Sequence, residues 1–203
     1  MRKSEATREK IYNAAIKLIS TNGYYSTTTL MIANEAGVSE ATIFKYFKNK
    51  EDLLKEVFRK SIKELLQNVA IKPIIENFEK SKELPLEQFI KSVIFERLEM
   101  AEKNSEILKM LMIEVQYNKE LLKMLQSELL PMLCNLIYNI EKTLILKCNI
   151  SKQKAKGITR IIIGFLVSIV IQKYLLQLDI PEENIQKEFE YVYEIINSSL
   201  SSK

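Results

Sequence analysis

The 203-residue chain is 47% apolar and 28% charged, with four Gly, four Pro and no His. Without imidazole it lacks the commonest general base, the commonest metal ligand and the usual partner of a nucleophilic serine or cysteine; no Gly-rich phosphate loop appears either, so no catalytic set, metal site or cofactor is expected. The net charge of +4 falls on residues 1–50, which hold eight Lys or Arg against four Asp or Glu, while residues 51–203 hold 22 of each.

Scarce helix breakers and the absence of strand-like alternation predict an all-α protein. Met1 to Lys17 is charged and amphipathic, unlike the apolar run of a signal peptide. The longest apolar run, Ile161 to Ile171, has eleven residues. That is short of the roughly 20 needed to cross a bilayer, so a soluble, cytoplasmic protein with no membrane partner is expected. Cys134 and Cys148 make neither a disulfide framework nor a zinc spacing, and are expected to be buried free thiols, with a redox switch as the alternative.

Ser4 or Thr7 opens the first predicted helix, with Ile11, Ala14, Ala15 and Leu18 as its buried stripe and Asn22–Gly23 as its end. Thr28 or Thr29 caps the second, whose inner face is Ile32, Ala33 and Ala36. Gly37 closes it, because a positive φ costs glycine least. Ser39 caps the third helix, with Thr42 at its N3 position and Ile43 and Phe47 facing inward. A fourth begins after Asn49, with Glu51 and Asp52 in the first turn, where the helix dipole favours anions. Helix, glycine turn and capped second helix form the helix-turn-helix pattern, which places its second helix in the DNA major groove; the same hairpin also serves packing alone.

From Ala6 to Leu54 the chain resembles the N-terminal domain of the tetracycline-repressor (TetR/AcrR) family, without a gap. The matches include Ile11, Ala14, Ala15, Leu18, Gly23, Tyr24, Thr28, Thr29, Ile32, Ala33, Ala36, Gly37, Val38, Ser39, Thr42, Tyr46, Phe47, Lys50, Glu51 and Leu54. The resemblance implies a DNA-binding domain over residues 1–50, a linking helix over about 50–68, and an effector-binding and dimerisation domain over 51–203. It implies a homodimer on palindromic double-stranded operator DNA, acting as a repressor that a small-molecule effector releases. Carried over, Thr28, Thr29, Tyr46 and Lys50 hold phosphates, Ser39 caps the recognition helix, and Glu40, Ala41, Thr42 and Lys45 face the bases. Three positions depart from the family pattern: Glu40 stands where many relatives are basic or neutral, Ala41 replaces a frequent glycine, and Phe44 replaces a frequent tyrosine. For Glu40 two readings stay open, a base contact to the cytosine amine or a helix-dipole anion that meets no base.

The fourth helix carries Leu53, Leu54, Val57, Phe58, Ile62 and Leu65 to about Asn68. A short helix is expected between Ile74 and Lys82, then helices over Leu86–Lys103, Glu106 to about Tyr117, Lys119–Lys147 with a kink at Pro131, Lys152–Gln177, and from Pro181 to near Ser198. In the helix after Ser151, Gly157, Ile161, Gly164, Ser168, Ile171 and Leu175 share one face. Two glycines inside a helix cost about 0.5–1 kcal/mol each relative to alanine and want a packing reason. That reason is either tight packing within one subunit or, as the resemblance implies, a dimer interface. Phe95, Met110, Tyr117, Tyr138 and Phe165 are candidate ligand walls, and Glu96, Glu99 and Glu114 candidate counter-charges for a cationic effector. Ordinary core packing and solvated helix faces are the competing readings. A helical carrier or protein-interaction module without DNA affinity is the rival function.

Overall fold

The structure, a computed structural model, describes residues 3–68, 80 and 83–201. Its helices are α1 Lys3–Asn22, α2 Thr29–Ala36, α3 Glu40–Tyr46, α4 Lys50–Asn68, α5 Leu86–Lys103, α6 Ser105–Glu114, α7 Lys119–Met124, α8 Leu130–Cys148, α9 Lys152–Val170 and α10 Glu182–Ser201. No strand occurs among the described residues, as the composition predicts. Apart from Lys80, which is helical, the short helix expected between Ile74 and Lys82 lies outside the described residues.

Two compact units form, and neither is continuous in sequence: residues 1–67 join 104–129, and residues 68–103 join 130–203. In the first, α1 packs against α2 and α6. Ile11, Ala15 and Ile19 of α1, Ile32 of α2, Ile43 of α3, Met110 of α6 and Leu53, Val57, Phe58 and Ile62 of α4 are buried. Complete burial of each large aliphatic or aromatic side chain contributes about 1.5–3 kcal/mol. The expected division at residue 50 follows the chain. The packing division instead keeps most of α4 with the N-terminal helices and adds α6 and α7 to them, because Met110, Leu111 and Leu121 are buried there.

The second unit is built on Phe89, Ile90, Val93 and Ile94 of α5, Ile140 and Leu144 of α8, Ala155, Ile158 and Ile162 of α9, and Phe189 and Ile196 of α10. Phe95 meets Phe189 edge-on at 5.7 Å between ring centroids.

Two long helices are interrupted by π turns. The helix expected over Lys119–Lys147 passes through a π turn at Leu125–Leu129, directly ahead of Pro131. Proline has no N–H and its ring presses on the carbonyl four residues earlier, and a widened turn relieves both. A second π turn, Ile171–Leu175, ends α9, and Gln177 then turns left-handed at φ 55°.

One expectation is corrected. Cys134 is exposed and Cys148 only half-buried, both as free thiols. The eleven-residue apolar run lies within one of two longer apolar helices. Lys119–Cys148 and Lys152–Leu175 have mean hydropathies of 1.3 and 1.7 in their most apolar windows and are long enough to cross a bilayer. Only 17% and 22% of those windows is buried within the chain, so each helix presents apolar surface.

Candidate nucleic-acid interface

The loop leading into α2 is held by Thr27, whose buried hydroxyl donates to the Gly23 carbonyl at 2.8 Å. Thr28 takes the N-cap, extended at φ −98° and ψ 159°, and its Oγ1 accepts from the Met31 N–H at 3.1 Å. Gly37 ends α2 at φ 65°. Its N–H donates to Asn34 and the Val38 N–H donates to Ala33, a six-to-one and five-to-two pair that reverses the chain within three residues. Ser39 then caps α3, accepting from the Thr42 N–H at 3.2 Å, and its hydroxyl lies 2.8 Å from that of Thr42.

Ile43 and Phe47 are buried and fix α3 by its inner face, with the Arg8 guanidinium 5.6 Å from the centre of the Phe47 ring. The opposite face is presented outward. Ala41, Phe44 and Lys45 are exposed there, Phe44 at 49%, with Thr42 and Tyr46 half-buried at its margins. One cation, a phenyl ring and small side chains on two turns suit a groove edge, since an apolar group contacts the thymine methyl and lysine reaches guanine or phosphate. At the next boundary Asn49 accepts from the Asp52 N–H at 2.8 Å, and Asp52 reaches back to the Lys48 N–H at 3.0 Å.

Three predicted contact residues, Thr29, Glu40 and Lys50, are already engaged within the fold. The Thr29 hydroxyl donates to Glu40 Oε1 at 2.6 Å, joining the start of α2 to the start of α3. Lys50 lies 4.2 Å over the Tyr24 ring, and its Nζ donates to the Tyr25 carbonyl at 3.4 Å. Partial burial lowers the Lys50 amine below its ordinary value, and the charge of Glu114 only partly opposes this. Tyr25 remains highly exposed beside it.

Beneath this surface, Glu114 of α6 is only 4% exposed and its Oε1 accepts from the Tyr24 N–H at 2.8 Å. The adjacent Gly23 has φ +77°, and a Cβ there would stand 3.9 Å from the same oxygen. Glu114, a candidate counter-charge for a ligand, thus fastens the loop that precedes the reader. No local sequence signal announces the pairing, because the partners are ninety positions apart. Lys55 adds a second tie, bridging Glu51 at 3.2 Å and Glu120 at 3.1 Å.

The remaining candidates are dispersed. Met110 is buried and Tyr117 exposed in the first unit. In the second, Phe95 and Phe165 pack against the core, Tyr138 is exposed, and Glu99 pairs with Lys103 at 2.6 Å. On the α9 face Gly157, Ile161, Gly164 and Ser168 are exposed, Ile161 at 43%, while Ile171 and Leu175 in the π turn are half-buried. A Cβ at Gly157 or Gly164 would meet nothing within 4 Å, so no packing among the described residues requires either glycine.

Residues 11–57 match the sequence model described as "Bacterial regulatory proteins, tetR family". A fatty acid metabolism regulator protein of Bacillus subtilis (strain 168) is 38% identical over 60 residues, 30% of this chain and 31% of that protein. The HTH-type transcriptional regulator HbdR of Aromatoleum sp. (strain CIB) is 52% identical over 50 residues, 25% of this chain and 22% of that one. These matches thus span less than a third of either relative. The fold extends much further. A transcriptional regulator from Aquifex aeolicus VF5 superposes with a TM-score of 0.61 at 18% identity, covering 94% of this chain and 99% of its own. A tetR-family regulator from Mesorhizobium loti does so with a TM-score of 0.66 at 15% identity, covering 98% of each. Residues 11–57 thus match the N-terminal domain of the tetR family, and the chain as a whole has the fold of the solved regulators on which it superposes.

Proposed function

We propose that this chain is a sequence-specific DNA-binding transcriptional regulator, acting in the cytoplasm as a homodimeric repressor on a palindromic operator. The observation that carries the reading is the capped α2–Gly37–α3 unit, fixed inward by Ile43 and Phe47 and presenting Ala41, Phe44 and Lys45 outward. The excess charge of residues 1–50 suits a phosphate backbone, whose neutralisation supplies much of the affinity for DNA. Thr28, Tyr46 and Lys50 are assigned to phosphates, and Ala41, Thr42 and Lys45 to base edges. With its carboxylate held by Thr29, Glu40 is assigned to positioning α3.

The α9 face is assigned to the dimer. Open space over both glycines and the exposure of Ile161 and Val167 support that reading, as does the small buried share of this apolar helix. Tyr191, 68% exposed, and Ile195 extend the apolar surface onto α10. A symmetric pair sets the recognition helices about 34–36 Å apart, or a multiple of one DNA turn, to meet successive major grooves. The second unit is assigned to a small-molecule effector, which lowers DNA affinity only by its differential affinity for the two states of the protein.

The test is a gel shift on the DNA upstream of the gene and on scrambled DNA of equal length, at several salt concentrations. Preferential retardation of the upstream fragment is expected. Equal affinity for both fragments removes the regulator and leaves the carrier reading.

A further inference from the structure

Helix α5 buries one stripe into the core of the second unit: Phe89, Ile90, Val93, Ile94 and Ala101. The same stripe includes Arg97, three residues after Ile94 and four before Ala101. A guanidinium on a core stripe is costly unless its donors are satisfied. Here they are not. The Arg97 side chain is 9% exposed, and its nearest carboxylate among the described residues, on Glu96, stands 3.9 Å from Nη2. Nη1 donates to the Met100 thioether at 3.1 Å, and sulfur is a weak acceptor. Nε is buried with no partner. Among the described residues one other buried side-chain polar atom lacks a partner, Thr159 Oγ1, and it lies on α9, which packs against α5. Burial lowers the guanidinium from its ordinary value, and Glu96 only partly opposes this.

The nearby acids, by contrast, are spoken for or open to water: Glu99 pairs with Lys103 and is exposed, and Glu102 is exposed. Among the described residues the under-served buried charge of this unit is therefore positive, the reverse of the counter-charge that Glu99 and Glu114 suggest for a cationic effector. We infer that Arg97 anchors the acidic group, a carboxylate or a phosphate, of an anionic effector. The guanidinium fork matches either group with two parallel hydrogen bonds. The inference rests on the assignment of the second unit to effector binding.

The test compares the parent with Arg97→Met and Arg97→Lys, using stearate, stearoyl-CoA and stearyl alcohol as probes, with binding measured by titration calorimetry and melting followed without probe. An anionic probe is expected to bind the parent about tenfold or more tightly than Arg97→Met, the worth of a hydrogen-bonded charge. Arg97→Lys should fall between them, and the alcohol should not distinguish the three. Preference for stearate assigns the group to a free carboxylate; preference for stearoyl-CoA assigns it to the phosphates. Without probe, Arg97→Met should melt no lower than the parent, because exchanging an ill-paired buried charge for an apolar side chain of similar length is commonly neutral or stabilising. Equal binding of the anionic probes by parent and Arg97→Met overturns the inference, as does failure of both to bind the parent. A lower melting temperature of Arg97→Met also overturns it, making Arg97 a structural partner of Glu96. Retardation of the upstream DNA by the parent without probe is scored separately: its failure removes the regulator, whatever Arg97 does.

Discussion

The hydroxyl of Thr29 donates to the carboxylate of Glu40 at 2.6 Å, so the first residue of the second helix holds the first residue of the recognition helix. A carboxylate committed in this way sets the angle of α3 and is a poor reader of cytosine. Glu40→Gln keeps an acceptor for Thr29 and removes a negative charge near DNA phosphate. It is expected to raise affinity for operator and random DNA alike while selecting the same operator sequence. A binding-site selection that changes one base pair per half-site would return Glu40 to the base-reading residues.

Glu114 tests how the reader's approach loop is supported. Glu114→Leu leaves the Tyr24 N–H without its acceptor in a buried setting. It should reduce stability by about 1–3 kcal/mol, the cost of an unsatisfied buried donor. Glu114→Gln retains an acceptor oxygen and should recover most of that loss in urea unfolding. Equal stability of Glu114→Leu and the parent would mean that water serves the Tyr24 N–H equally well.

The α9 face separates folding from association. With open space over Gly164, Gly164→Leu should leave the fold of a single chain intact. Its helix should gain up to about 1 kcal/mol from the better helix former. Added volume in a close helix–helix contact is destabilising, so sedimentation should show a weakened dimer and reduced operator affinity. A dimer of unchanged affinity would place the interface elsewhere.

Lys50 separates holding from reading. A phosphate contact carries no sequence information, so Lys50→Ala should weaken binding to operator and random DNA by the same factor. Two copies per dimer should reduce the magnitude of the log–log salt slope by about 1.8. An unchanged slope would restrict Lys50 to its contacts with Tyr24 and the Tyr25 carbonyl.

The two thiols should differ in reactivity. Burial pushes the Cys148 thiol up, Lys147 offsets it only in part, and the thiolate is the reacting form. Cys134 is exposed. Iodoacetamide at neutral pH should therefore label Cys134 first, as read by peptide mass spectrometry, and raising the pH should narrow the gap as Cys148 ionises. Faster labelling of Cys148 would show that α8 opens locally.

The recognition unit was legible in the sequence because its determinants are local. Thr28, Gly37, Ser39 and Asn49 act on backbone groups within a few residues, and Ile43 and Phe47 reveal the inner face of α3 by spacing alone. Most helix boundaries followed for the same reason. Pro131 marked an irregularity in its helix, and its form proved to be a widened turn just upstream. Other features depended on which surfaces meet across long separations. Only the tertiary structure joined Glu114 to Tyr24, placed α6 and α7 with the N-terminal helices, and left the Gly157–Ser168 face uncovered among the described residues. The Arg97 signal was present as a charge on an apolar stripe, but its significance came from the missing partners around it. Helical periodicity states which face of a helix is buried; what that face is buried against is decided by contacts that no local pattern encodes.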